Sequence, residues 1–349
     1  MQAKPAISIC IPTYDGSEYI EDCLDSVLTQ TYGNFEVLIL DDCSTDNTLE
    51  IANTFAKKDS RIRVVKNENN LGLVGNWNKC IQLAKGEWIK FVFHDDLIAP
   101  QCLERMMAVA DDNHPFIICR RNFIFNDVSE DVFQTYQKFL TELSMDGVFN
   151  GKTDISPSDI VDAQIRMVTS FQRNYFGEPT STLLHRLLFK RFGLINPALI
   201  QKCDLEYWLR VGINVGVRYI PETLAHFRVH SGATTAKNKS GRDFRSQELD
   251  DLVIWNEHFV NPHYSDLKKV AAQLNNPLTP RSIAKKSYWL YKQAKAAANR
   301  AVEPDTTMLE EWNNLASIYP KLSKSFYFRL FQLQDRLDNN ILWRFRKNK

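Results

Sequence analysis

The chain has 349 residues, 43 of them basic and 42 acidic, for a formal net charge of +1. Hydrophobic residues make up 44% and charged residues 24%, which excludes a disordered or fibrous chain and leaves no whole-molecule attraction to nucleic acid. The length suits one large α/β domain with a helical extension. Seven cysteines (Cys10, Cys23, Cys43, Cys80, Cys102, Cys119, Cys203) show no CxxC spacing, and the odd count argues for reduced thiols in a cytoplasmic setting. The apolar run after Met1 is too short for a signal peptide, and no stretch reaches the roughly 18 apolar residues of a spanning helix, so the expectation is a soluble protein.

In chain order, Ala6–Ile11 is an apolar run stopped by Pro12, as in a buried strand. Tyr19, Ile20, Cys23, Leu24, Val27 and Leu28 then recur at the spacing of one helix face. Phe35–Leu40 is a second apolar run, halted at Asp41-Asp42, and a helix follows with Ser44 or Thr45 as expected N-cap. Arg61–Val65, Trp77–Leu83 and Trp88–Phe93 read as strand, helix and strand. This alternation implies βαβ units with a parallel sheet and right-handed crossovers. Ligands of such sheets bind where the strands end, and the four strand ends carry Pro12-Thr13-Tyr14-Asp15, Asp41-Asp42, Lys66–Gly72 and His94-Asp95-Asp96.

Farther on, Leu103–Ala110 reads as a helix, Phe116–Cys119 as a strand and Gln134–Leu143 as a helix; Thr153–Arg173 reads as a helix with Pro157 at its first position. Cys203–Arg210 opens a helix with Asp204 near its N-terminus, where the carboxylate is either a cap or a general base. Phe227–His230 alternates as a short strand, with Arg228 and His230 on one face. After Thr234 the chain turns polar and helical. Its last segment, Phe326–Arg346, mixes aromatic and aliphatic residues with arginines; it is either packing surface or an interfacial helix on a membrane that presents a lipid-linked acceptor.

Asp41-Asp42 can accept hydrogen bonds from a base ring N–H or cap the next helix. His94-Asp95-Asp96 can hold a hard divalent cation against a diphosphate leaving group. Neither GxGxxG nor GxxxxGK[ST] is present, so the usual glycine-loop phosphate cradles do not apply.

These residues resemble family 2 glycosyltransferases, inverting enzymes of the GT-A fold. The resemblance rests on Ile9–Tyr14, Asp41–Thr48, Asn70-Leu71-Gly72 with Asn76-Trp77-Asn78, Phe93–Asp96, Gly177–Ser181, Asp204 with Leu209-Arg210, and Arg228-Val229-His230. It spans roughly the first 235 residues. It implies a GT-A catalytic domain over 1–240, its nucleotide-binding half about 1–120, and a mainly helical extension over 241–349. It further implies that Pro12, Thr13, Tyr14, Asp15, Asp41, Asn70, Gly72 and Asn78 border a nucleotide-sugar donor, with a UDP-sugar favoured, and that Arg228 lies against the diphosphate. Asp95, Asp96 and His230 would hold Mn²⁺ or Mg²⁺, and Asp204 would deprotonate the hydroxyl of a glycan or lipid-linked acceptor, in cell-surface glycan synthesis. The chain departs from the family pattern at Phe93, which stands where the first aspartate of DxD belongs, at Cys203, where an acidic residue often precedes the base, and at Trp77, where arginine commonly precedes Asn78. Two other classes remain open. A sugar-nucleotide-binding protein without catalysis would lack Asp204 and Arg210, and a nucleotidyltransferase would carry a basic loop after the first strand.

Overall fold

The computed structural model describes residues 4–166, 174–231, 248–272, 279–300 and 304–347, the last ten of these as backbone alone. Two compact units emerge. One comprises residues 1–197 and 203–237, the other 198–202 and 238–349.

The first unit is built on β1 (Ile7–Thr13), β2 (Phe35–Asp41), β3 (Ile62–Lys66) and β4 (Trp88–Phe91), with α1 (Ile20–Leu28), α2 (Thr48–Lys58) and α3 (Gly72–Leu83) between them. Every residue of β1 and β2 is buried, as expected of parallel strands covered on both faces. The helices show why the sheet is covered: α1 buries Ile20, Cys23, Leu24 and Val27, a single i, i+3, i+4, i+7 stripe.

Around the sheet the described strands run in the order β3-β2-β1-β4-β8-β6-β9-β5. Here β5 is Leu97–Ile98, β6 Phe116–Asn126, β7 Asp154–Ile155, β8 Thr182–His185 and β9 Val217–His230. The first four strands pair in parallel, and β8 joins them antiparallel to β4. The parallel sheet read from the sequence is therefore half of a mixed one. Because β2 and β4 lie on opposite sides of β1, the crossovers diverge there, which opens a crevice at the carboxyl ends of β1 and β4.

Several boundaries differ from the sequence reading, each for a tertiary reason. Helix α2 starts at Thr48 with Asn47 as N-cap; Ser44 and Thr45 are drawn away, their Oγ and N–H bonding Asp15. Helix α3 starts five residues before Trp77, because Asp42 accepts from the N–H groups of Leu71 and Gly72 and so caps it from another strand. Gly72 makes the turn into it at φ +72°. The strands expected at 116–119 and 227–230 grow to 11 and 14 residues because they pair with each other in parallel, through a bulge at Cys119–Arg121. The helix expected over 153–173 is α7, Pro157–Arg166, since Asp154 and Ile155 pair with β9 instead; residues 167–173 lie outside the described set. Further helices of this unit are α4 (Cys102–Met107), α5 (Glu130–Glu142), α6 (Met145–Phe149), α8 (Leu187–Phe192) and α9 (Cys203–Val215).

The second unit is helical: α10 (Asp250–Val260), α11 (Ser265–Ala271), α12 (Pro280–Ala298), α13 (Thr307–Ile318), α14 (Lys321–Lys324) and α15 (Phe326–Lys347). Its aromatic centre stacks Trp312 on Phe328 at 5.8 Å, with Tyr288 edge-on to Phe328 at 5.4 Å. Asp250 accepts from the N–H groups of Ile200, Gln201 and Lys202, which ties that short segment to α10. No described helix is long and apolar enough to cross a membrane.

Close approach of backbone to backbone is sharpest at Gly86, where a Cβ would sit 2.4 Å from Ser8 N and 2.6 Å from the carbonyl carbon of Ile7. Gly86→Ala is expected to lose about 1–3 kcal/mol of stability in urea denaturation. Gly33→Ala, where the added Cβ meets nothing within 4 Å, is the control and is expected to change little.

Candidate active site

The donor side begins at the ends of β1 and β2, where Thr13 and Asp41 are register partners. Both side chains are buried, and both hold an orphan atom: Thr13 Oγ1 and Asp41 Oδ1 have no hydrogen-bond partner. Buried polar atoms are rarely left so. The other oxygen of Asp41 accepts from Ser44 N at 3.2 Å, which aims the orphan oxygen away from its own turn.

The neighbouring residues expected to border a donor also hold the loops together. Asp15, at φ +46°, accepts from Thr45 N at 2.7 Å and from Thr45 Oγ1, so its carboxylate laces the loop after β1 to the turn after β2. Asn70 donates to Asp42 O at 3.0 Å and accepts from Gly72 N at 3.0 Å, and Gly72 N also reaches Asp42. Asn78, also expected at the donor cleft, clamps the main chain of Ile195: its amide donates to Ile195 O at 2.9 Å and accepts from Ile195 N at 3.1 Å. Pro12 offers only its carbonyl, 3.5 Å from His94 Nδ1. The ring of Tyr14 is half exposed.

After β4 the two adjacent aspartates separate in role. Asp96 is fully buried and both its oxygens are occupied: Thr180 Oγ1 donates to Oδ2, and Arg228 N donates to Oδ1 at 2.9 Å. Burial, with the charge of Asp95 beside it, pushes its carboxyl well above the usual range. Asp96, expected as a metal ligand, thus has each oxygen engaged by a protein donor. Asp95 instead faces His230, with Oδ2 3.2 Å from Nε2. Burial opposes its charge, but the hydrogen bond from His230 and the nearby His94 outweigh burial and lower its carboxyl. Arg228, expected against a diphosphate, is likewise engaged within the protein. Its guanidinium donates to Asp95 O at 2.8 Å and Asn126 Oδ1 at 3.0 Å, pairs with Asp22 at 3.5 Å, and lies over the Tyr19 ring at 4.6 Å. Tyr19 meets His230 edge-on at 4.8 Å, so one ring steadies both residues of the Arg-x-His element.

Among the described residues no three His, Cys, Asp or Glu side chains gather closely enough to hold a metal by themselves. Asp95 and His230 nevertheless form a carboxylate-imidazole donor pair suited to Mn²⁺ or Mg²⁺ when phosphate oxygens and water complete the shell.

The third group lies on α9. Asp204 stands in its first turn, accepts from Asn174 Nδ2 at 2.9 Å and Leu205 N at 2.7 Å, and is pushed by burial up to about 7. Two charges flank it. Glu178 raises it and Arg121, ion-paired with Glu178, lowers it. The turn Gly177–Ser181 connects this group to the last one: Gly177 O accepts from Asn174 and from Trp208 Nε1, while Thr180 holds Asp96. Asn174, Thr180 and Tyr19 are site-shaping residues to which sequence reasoning assigned no role, and only the Gly177–Ser181 motif hinted at one of them.

A family model described as glycosyl transferase family 2 matches residues 8–161. A protein of Mycobacterium tuberculosis (strain CDC 1551 / Oshkosh), MT1568, is 31% identical over 233 residues, 66% of this chain and 69% of its own length. The chain belongs to glycosyl transferase family 2. Another family relative, TuaG of Bacillus subtilis (strain 168), named for teichuronic acid biosynthesis, is 39% identical over 104 residues, 30% of this chain and 41% of that protein; both relatives extend beyond what the chain matches. The structure is similar to S. aureus TarS 1-349 in complex with UDP-GlcNAc, with a TM-score of 0.57 at 16% identity over 90% of this chain and 81% of that one. The α/β sheet of this family 2 chain, with helices on its faces, is thereby the GT-A type of glycosyltransferase fold.

The raised Asp204 carboxyl has a thermodynamic signature of its own. A carboxyl held above its unfolded value stabilises the fold at low pH and loses that contribution as pH rises toward the folded value. The stability of Asp204→Asn relative to the native chain is therefore expected to improve between pH 4 and pH 8 by on the order of 1–4 kcal/mol, read by urea denaturation across that range. A pH-independent difference would contradict the assigned environment.

Proposed function

We propose that the chain transfers a glycosyl residue from a nucleotide-diphosphate sugar, with a UDP-sugar favoured, to an acceptor hydroxyl with inversion at the anomeric carbon. The observation that carries this reading is the pair of buried, unpartnered atoms Thr13 Oγ1 and Asp41 Oδ1 at the ends of β1 and β2, on the same sheet as β4, which Asp95 follows. A uracil imide N–H donates to Asp41 Oδ1 and satisfies it, whereas a phosphate there would be repelled.

Asp95 and His230 would hold a divalent cation, which supplies charge neutralisation to the departing diphosphate. Asp204, poised by burial near neutrality, accepts the proton of the acceptor hydroxyl. As that proton leaves, the acceptor oxygen bonds to the anomeric carbon from the face opposite the leaving group. The bond from carbon to phosphate oxygen breaks, and its electron pair departs on the nucleoside diphosphate. Asn174 and the N–H of Leu205 hold Asp204 in place for this. A binding protein that had lost catalysis would have no use for a half-buried carboxylate raised into the working range.

The cell-surface glycan role is supported by the name of TuaG. The helical unit supports peripheral contact with the inner face of the cytoplasmic membrane, where a lipid-linked acceptor would lie: α15 exposes Phe326, Leu333 and Leu337 beside Arg329 and Arg336.

A thermal-shift panel of UDP-, GDP- and dTDP-sugars with Mn²⁺ tests the donor reading. Stabilisation by a uracil or thymine nucleotide is expected, and no shift with any nucleotide would sink it. The rate constant kcat/KM is expected to rise with pH through an acid limb near pH 7, because only the ionised base accepts a proton. Asp204→Asn should keep donor binding, lose that limb, and turn over at least about 100-fold more slowly. Asp95→Asn should weaken donor binding only when metal is present.

A further inference from the structure

Charge is divided unevenly along this chain. Residues 1–237 carry 24 basic and 30 acidic side chains, whereas residues 238–349, nearly all of the second unit, carry 19 basic and 12 acidic ones. The net charge of +1 therefore hides a negative first part and a positive helical one. An asymmetry of that kind points to an anionic partner for the positive part. The extreme is α12, whose 19 residues include Arg281, Lys285, Lys286, Lys292 and Lys295 and no acidic residue.

Exposure sorts the side chains of α12 and α15 into two stripes. On α12, Arg281, Lys285, Trp289, Lys292 and Ala296 are exposed and follow at i, i+4, i+8, i+11 and i+15, one face of the helix. On α15, Phe326, Arg329, Leu333, Arg336 and Leu337 are exposed at i, i+3, i+7, i+10 and i+11, again one face. The two helices lie side by side, with Tyr288 stacked on Phe331 at 6.4 Å and Lys292 paired with Asp335 at 2.5 Å, and a groove of about 320 Å³ separates them. Lys292 and Ala296 from one stripe and Arg336 from the other line this groove, together with Tyr288, Tyr291 and Lys295, so the stripes meet along it. Asp335 neutralises Lys292, but among the described side chains no carboxylate pairs with Lys295 or Arg336. The ammonium of Lys295 lies instead 5.9 Å from the centre of the Tyr291 ring.

We propose that this surface binds an anionic lipid bilayer, with Lys295 and Arg336 holding the phosphate of an acidic phospholipid in the groove while Trp289, Leu333 and Leu337 enter the interfacial layer. The inference rests on, and deepens, the membrane reading of α15 given above: it specifies the charge of the lipid and assigns α12 as the element that reads it. Charge complementarity carries it. A leaflet rich in acidic lipids attracts each Lys or Arg held near its surface by about fivefold in partitioning, and large apolar side chains between the cations bury themselves beside the headgroups. Lysine is depleted from protein–protein interfaces, which makes a five-cation helix a poor protein-docking face. Single-stranded nucleic acid would stack on Trp289 but offers nothing to Leu333 and Leu337. Only a bilayer surface satisfies the cations and the aliphatic side chains at once.

Co-flotation of the full chain with vesicles of phosphatidylcholine alone, and of phosphatidylcholine and phosphatidylglycerol in equal parts, tests this. The native chain should partition onto the mixed vesicles about tenfold or more above the neutral ones. Lys295→Gln/Arg336→Gln should lose about tenfold or more of that binding, whereas Lys268→Gln/Lys269→Gln, which removes the same charge from α11, should lose less than about threefold. The control amines are held by Phe259 O and Asp266. Both double variants should melt with the native chain, because all four residues are exposed. Equal losses in the two variants, or tighter binding of polyuridylate than of the mixed vesicles, would overturn the inference. So would equal flotation with both kinds of vesicle, although that result leaves the membrane reading standing. Flotation with neither would overturn the membrane reading itself.

Discussion

The buried carboxylate of Asp96 joins the end of β4 to the Gly177–Ser181 turn through Thr180 and to β9 through the N–H of Arg228. An uncompensated carboxyl at that depth would cost several kcal/mol, so each partner is obligatory. The consequences radiate from there. The Arg228 N–H sits where it does because Asp96 accepts it, its guanidinium then secures Asp95 O, and His230 two residues later faces Asp95 across the same strand face. The same turn, three residues earlier at Gly177, receives Asn174 and Trp208 and so supports Asp204. The Asp95–His230 pair and Asp204 are thus held by one short segment.

Most of the polar residues at the crevice work as fasteners. Asp42 caps α3, Asp15 laces two loops, Asn78 clamps Ile195, and Arg228 is engaged by four groups. What remains available to a ligand is a small set: the Asp41 and Thr13 orphan atoms, the Asp95–His230 pair, and Asp204. This division follows from burial. Loops that bring charged ends close together must satisfy their own backbone first, and short Asp and Asn side chains do this locally.

The strands and helices of the first hundred residues were legible in the sequence because their apolar runs and 3.6-residue stripes are local signals, as in β1, β2 and α1. The chemistry-bearing motifs were legible too, since carboxylates directly after apolar strands mark a ligand edge of an α/β sheet. The residue pattern and the family resemblance together placed Asp41, Asp95, Asp204 and His230 among the candidates. Composition and charge settled only what the chain is not.

The tertiary structure decided which member of each motif is bonded within the protein and which is left open. Asp41 and Asp42, or Asp95 and Asp96, are equivalent by residue type and differ only in which way successive side chains point and what lies there. Asn67, Leu71 and Gly72 await Asp42, and Thr180 and Arg228 await Asp96, at sequence separations of 25 to 132 residues. The true lengths of β6 and β9, the start of α3, and the raised carboxyl of Asp204 likewise come from contacts between distant segments. Periodicity is a property of neighbours along the chain, whereas desolvation and hydrogen-bond completion are properties of neighbours in space, and it is these that separate a fastener from a functional group.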